Sequence, residues 1–309
     1  MTEIIDSIIK STKEASWVVV GNFDGVHLGH QALIRSVISK AHETGSRSVL
    51  ITFNPHTRSF LDKASEPFLL NTLSERLEQI SHLDIDLVVV QPFDAECASL
   101  DGEQFLLFLR EQLGMVGLVT GKEFSLGRDR LGSEKSAWGR IMSYGISLER
   151  VEPKLVNGQV VSSGLIRENL VAGNIMHVNQ MLGREYQLSG IVGHGKERGS
   201  ALDLPTANIQ VDSGKLLPGF GVYACLGWVN GKPYPAVTNI GIRPTFDSDN
   251  IPSVEAHFLE YSGDLYEKRV SLSFFARIRD EHKFENKEAL LAQVSKDKQE
   301  ARRILHHAI

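Results

Sequence analysis

The stretch Trp17-Val18-Val19-Val20-Gly21-Asn22-Phe23-Asp24-Gly25-Val26-His27-Leu28-Gly29-His30 decides how this chain reads. An apolar run suited to a buried strand gives way to a glycine-bearing turn, and two histidines three positions apart open an amphipathic helix. That order places both imidazoles on one side of a helix N-terminus, where free backbone N–H groups and the helix dipole attract phosphate. Such a pair could instead bind zinc, but zinc needs further ligands and neither cysteine is near in sequence. Plain helix capping is the other reading, since Asn and Asp are ordinary turn residues. Gly29 between the histidines weighs for a close ligand, because a helix driven by propensity alone avoids glycine there.

The rest of the composition narrows the field. A chain of 309 residues suggests two domains, and a mean hydropathy of -0.12 suits packed cores rather than disorder. No apolar run approaches a membrane span, and Met1–Lys13 lacks the apolar core of a signal peptide. Cys97 and Cys225 stand far apart, which argues against a disulfide framework or a structural zinc site. The expectation is a cytoplasmic protein without a membrane partner. A net charge of -5 also speaks against broad nucleic-acid binding. It leaves room for a small anionic substrate held by a few local donors. Self-association is compatible with all of this.

Outward from the histidine turn, the first half alternates strands and helices. Strands are expected at Ser16–Gly21, Ser48–Phe53, Leu87–Val90, Val116–Gly121 and Leu148–Val151. Helices are expected at Gly29–Glu43, Leu73–Leu83, Gly102–Leu113, Glu134–Tyr144 and Ser163–Ala172. Short, nearly all-apolar strands between helices indicate a parallel sheet covered on both faces, with ligands beyond the C-terminal strand ends. The texture changes near Leu182-Gly183, dividing the chain into 1–183 and 184–309. Short runs such as Tyr223–Val229 and Val270–Phe275, broken by Gly and Pro, read as a compact antiparallel barrel. Asn230-Gly231 marks a hairpin, and Lys287–Leu305 reads as a final helix. The expected architecture is α/β: a Rossmann-like parallel-sheet domain, then an antiparallel β-barrel with a terminal helix.

Further motifs follow in order: Thr52-Phe53-Asn54-Pro55-His56, Ser162-Ser163-Gly164-Leu165-Ile166-Arg167, Leu204-Pro205-Thr206-Ala207-Asn208-Ile209, Pro218-Gly219-Phe220-Gly221-Val222-Tyr223-Ala224, Asn239-Ile240-Gly241-Ile242-Arg243-Pro244-Thr245-Phe246 and Val254-Glu255-Ala256-His257. Together with the histidine turn they resemble the prokaryotic bifunctional riboflavin kinase/FMN adenylyltransferase family, the FAD synthetases, from about Trp17 to Arg302. The resemblance implies ATP, riboflavin, FMN and FAD as substrates or products, with Mg²⁺ as cofactor. In the first half it implies that His27 and His30 donate to phosphate oxygens, while Asn22 and Asp24 position the nucleotide or its metal. It further implies a phosphate clamp from Ser162, Ser163 and Arg167, and a place for His56 beside the flavin–nucleotide site. In the second half it implies Glu255 as the base. Thr206 and Asn208 would then hold Mg²⁺ and phosphates, Gly195 and Arg198 would belong to a loop over ATP, and Arg279 and Arg302 would hold the flavin or its phosphate.

Departures from that pattern are local. Ser200 stands where the family usually has Arg, and Asp203 where it has Gly; Arg198 is a candidate substitute for the missing guanidinium. Gly164 replaces a Thr and Thr57 a Pro. Glu123-Phe124-Ser125-Leu126-Gly127 replaces an Asp-Phe-Arg-Phe-Gly-like segment. Three other readings therefore stand beside the two-step enzyme. One is an adenylyltransferase with a weakened kinase half, another a non-catalytic flavin-binding regulator. The third is a different His-x-Gly-His enzyme, such as an aminoacyl-tRNA synthetase.

Overall fold

A computed structural model describes residues 2–8, 14–62, 67–122, 124–131, 135–193, 206–242 and 252–306. Chain contacts divide it into two units, Met1–Ser163 and Gly164–Ile309.

The first unit opens with β1 (Glu3–Ile5), β2 (Ser16–Val20), α1 (Leu28–Glu43) and β3 (Arg47–Asn54). It continues with α2 (Thr57–Leu61), α3 (Leu73–Ser81), β4 (Leu87–Pro92), α4 (Ala95–Ser99) and α5 (Gly102–Leu113). Then come β5 (Met115–Gly121), α6 (Lys135–Ser143), β6 (Ser147–Val151) and a small hairpin of β7 (Leu155–Val156) and β8 (Gln159–Val160). Six strands form one sheet in the order β1-β4-β3-β2-β5-β6, every pair parallel. The chain steps outward from β2 in one direction through β3 and β4, then returns to its other side for β5 and β6. That reversal makes the end of β2 a topological switch point, where open α/β sheets bind ligands.

The strands are apolar on both faces because both are covered. Val19, Leu50 and Val88 pack with Ile34 and Val37 of α1; Val18, Ile51 and Val89 pack with Leu106 and Leu109 of α5. Each such aliphatic side chain contributes about 1.5–3 kcal/mol on burial. The helices start where side chains supply caps. Thr72 and Glu75 form a capping box on α3, Asp101 and Gln104 another on α5, and left-handed Gly114 ends α5.

In the second unit α7 (Ser163–Val171), which begins at the last residue of the first, and α8 (Ile175–Leu182) precede the barrel. The barrel comprises β9 (Tyr186–Gly193), β10 (Ala207–Val211), β11 (Gly221–Val229), β12 (Lys232–Ile242), β13 (Pro252–Phe258) and β14 (Arg269–Arg279). These strands close in the order β10-β13-β12-β11-β14-β9, all antiparallel, with β9 returning to β10. Asn230 (φ 50°) and Gly231 (φ 76°) make the expected β11–β12 hairpin, both central residues left-handed. The last helix, α9 (Lys287–Leu305), seats Ala301 and Leu305 on Ala224 and Leu226 of β11.

Candidate active sites

The turn after β2 is backbone under constraint. Phe23 (φ 51°), Gly25 (φ 86°) and Val26 (φ 39°) are all left-handed, and Val26 is β-branched. A non-glycine residue held there costs roughly 1–3 kcal/mol. Burial offsets it: the Phe23 and Val26 side chains lie in the core on the α1 face. The turn is also tied at several points. Asn22 Oδ1 accepts the Thr57 N–H (3.2 Å), and its Nδ2 donates to Thr57 Oγ1 (2.9 Å). The Asn22 carbonyl accepts Thr52 Oγ1 (3.1 Å). Asp24 is 2% exposed, and its carboxylate accepts the N–H groups of Leu70 (2.9 Å) and Asn71 (3.1 Å). Ser163 Oγ donates to the Asp24 carbonyl (2.8 Å), joining the start of α7 to the turn. The carboxylate of Asp24 is thus turned to backbone amides of the 70–71 loop.

His27 caps α1. Its Nδ1 accepts the His30 N–H (3.3 Å), so a neutral His27 carries its proton on Nε2. The rings of His27 and His30 stack at 3.6 Å between centroids, 18° from parallel, and Phe23 meets His30 edge-on at 5.2 Å. Gly29 is explained by the same geometry. A Cβ there would sit 3.0 Å from His27 Cε1, so a side chain would crowd the imidazole.

One strand over, the β3 loop carries the cis Asn54-Pro55 bond, and His56 caps α2 by accepting the Arg58 N–H (3.1 Å). His56 meets Phe68 edge-on at 5.1 Å. Nearby, Phe53 and Phe60 each meet Phe93 edge-on, at 5.4 and 5.6 Å. Phe53 belongs to a motif quoted from the sequence and lies in the core; Phe60 and Phe93 were not picked out there, one in a polar stretch, the other beside a proline. Ser162 is exposed just ahead of α7, and Arg167 lies four residues after Ser163, on the same helix face.

In the barrel, strand register makes the grouping. Asn208 pairs with Glu255, and Glu255 pairs with Asn239, so three polar side chains share one face of β10, β13 and β12. Asn208 Oδ1 is buried without a hydrogen-bond partner among the described residues, and Thr206 stands just before β10. Asn239 belongs to a quoted motif, yet only register reveals it beside Glu255. Its Nδ2 lies 3.4 Å from Glu281 Oε1, and a Cβ on Gly241 would fall 2.1 Å from that same oxygen.

The two arginines each meet a carboxylate. Arg279 lies two strands further along the row, through Val222, and its guanidinium grips buried Asp297 of α9 with Nε (3.1 Å) and Nη2 (2.9 Å). Its Nη1 is committed to the Asp280 carbonyl. Arg302 sits 3.8 Å from Glu260 in an exposed pair, which is worth little. Gly195 and Arg198, with Ser200 and Asp203, lie outside the described residues. Neither thiol suits a nucleophile: burial, aided by Asp94 and Glu96, pushes Cys97 up to about 11, and burial pushes Cys225 higher still.

Comparison with known proteins gives each half of the chain a family. Residues 9–165 match the FAD synthetase family and residues 182–305 the riboflavin kinase family. A Bacillus subtilis bifunctional riboflavin kinase/FMN adenylyltransferase is 34% identical over 95% of this chain and 94% of its own length. The chain belongs to the bifunctional riboflavin kinase/FMN adenylyltransferase family. It is a transferase with two activities, riboflavin phosphorylation and FMN adenylylation, which sets aside the tRNA-synthetase reading. The Pseudomonas fluorescens family member is 32% identical, covering 92% of this chain and 91% of its own. A solved structure described as a macrolide-efflux protein from Streptococcus pneumoniae has the same fold. Its TM-score is 0.86 at 26% identity, over 97% of this chain and 98% of that one. No helix among the described residues is long and apolar enough to cross a membrane.

Proposed function

We propose that residues 1–183 adenylylate FMN and residues 184–309 phosphorylate riboflavin, with the following division of labour. In the first site the FMN phosphate oxygen attacks the α-phosphorus of ATP. The bond to the bridging oxygen breaks, and pyrophosphate leaves. No protein nucleophile is needed, so the site works by positioning and by stabilising charge on oxygen. His27 Nε2–H and His30 donate to phosphate oxygens, and Ser162, Ser163 and Arg167 clamp phosphate. Asn22 and Asp24 hold the turn through its neighbours, and His56 stands beside the flavin. The stacked, capped histidine pair at the switch point is the observation that carries this half.

In the second site the terminal ribityl hydroxyl of riboflavin gives its proton to Glu255 and attacks the γ-phosphorus of ATP, releasing ADP. The Asn208–Glu255–Asn239 row supports this half. The Asn208 oxygen, without a partner among the described residues, and the Thr206 hydroxyl fit a hard cation. Mg²⁺ held there would neutralise charge on the phosphates. Gly195 and Arg198 are assigned to ATP and Arg302 to the flavin or its phosphate, whereas Arg279, through Asp297, fastens α9 to the barrel. Two free cysteines support a cytoplasmic location.

The test is direct: riboflavin, ATP and Mg²⁺ are incubated with the protein and the flavins separated over time. FMN followed by FAD is expected. FAD only when FMN is supplied would leave the barrel without kinase activity, and no conversion of either flavin would leave a binding protein.

A further inference from the structure

Arg76 of α3 is 4% exposed, yet its guanidinium stays charged at any working pH and is costly to bury. Burial lowers its pKa, and the Asp24 carboxylate opposes that shift. What it touches is informative. Nη1 donates to the Asn22 carbonyl (2.7 Å) and Nη2 to the Phe53 carbonyl (3.0 Å). Its Nε is buried without a partner among the described residues. Those two carbonyls stand at the ends of adjacent strands. One opens the turn that carries His27 and His30; the other opens the loop that carries His56. A second fastening joins the same two loops from the side-chain end, through the Asn22–Thr57 pair described above. A proline at 57, the residue the resemblance leads one to expect, could supply neither the N–H nor the hydroxyl.

We infer that Arg76 is a positioning residue for adenylyl transfer, setting the His27/His30 turn against the His56 loop through two backbone carbonyls, with Thr57 as the second fastening. The inference rests on the adenylyltransferase reading above. Arg76 touches no reacting group; it acts by fixing where the donors of one loop stand relative to the flavin side of the other. A planar fork is needed to span two carbonyls at once, and an ammonium cannot reproduce that geometry.

The experiment uses the full chain with Arg76→Lys and, separately, Thr57→Val. FMN adenylylation is measured across ATP and FMN concentrations. Thermal unfolding and riboflavin phosphorylation are recorded on the same samples. For Arg76→Lys, kcat per folded molecule is expected to fall by about 10- to 100-fold, with both KM values within about 2-fold, as a small misplacement produces. Thr57→Val should lower kcat by about 3-fold, and kinase turnover should hold in both. Unchanged kcat in Arg76→Lys, a change confined to KM, an activity loss equal to the loss of folded protein, or failure of Arg76→Lys to fold would each overturn the inference. Absence of FMN conversion by the unmodified protein would instead remove the adenylyltransferase reading itself.

Discussion

In the parallel-sheet half the constrained turn Asn22 to His30 is one stretch of chain after a single strand. In the barrel half the polar row Asn208, Glu255 and Asn239 lies on three strands that meet only through register. The first arrangement concentrates constraint in one loop: left-handed Phe23 and Val26, a ring stack, and hydrogen bonds from α3, β3 and α7. The second spreads it over the barrel wall, where no residue of the row needs an unusual backbone. A locally built site is sensitive to small shifts in its own loop. A site built by register depends on the whole ladder being in step.

Substitutions can test that contrast. The largest effect is expected for His27→Asn, which can still cap α1 but removes the imidazole: FMN adenylylation should fall by about 10²–10³-fold. Riboflavin phosphorylation should be untouched, and an equal loss of both would break the picture of two separately built sites. Glu255→Gln keeps the shape of the row while removing the base. It should reduce riboflavin phosphorylation by about 10²-fold, measured as ADP release, with FMN adenylylation intact. Gly29→Ala sharpens the argument about local sensitivity. Alanine favours a helix by about 1 kcal/mol over glycine, so the melting temperature should not drop. Adenylylation should nonetheless fall by about 10-fold, because the new methyl crowds His27. The smallest effect belongs to Thr72→Ala, which opens the α3 capping box at about 1 kcal/mol of stability in urea titration. Its turnover should stay near normal.

Much of the fold was legible because its signals are local. The α5 limits Gly102–Leu113 and the α9 limits Lys287–Leu305 coincide with the apolar periodicity that announces them, and Asn230-Gly231 announces its own hairpin. Strand ends were less clear: β4 runs past the expected Val90 to Pro92, because Asn54 on β3 is still there to pair. α8 (Ile175–Leu182) went unread, its apolar face short and without a side-chain cap. In the sites, the histidine turn was legible because its residues are adjacent. The engagement of Asp24 with Leu70 and Asn71, and of Arg76 with Asn22 and Phe53, joins positions that nothing in the sequence links. Arg279 and Arg302 show another limit: their pairing with Asp297 and Glu260 is visible only in the coordinates.

Edges also distinguish the two halves. The barrel closes on itself through β9 and β10 and so presents no open strand edge. The six-stranded sheet has two edges, and both are blunted. β1 is three residues long, with Glu3 ion-paired to Arg47, and β6 carries charged Glu149 and Arg150. Strand-on-strand addition, the common route to fibrils and runaway aggregates, is therefore discouraged in each half. Copies of this chain that associate are expected to meet through side-chain surfaces rather than by extending the six-stranded sheet or the barrel.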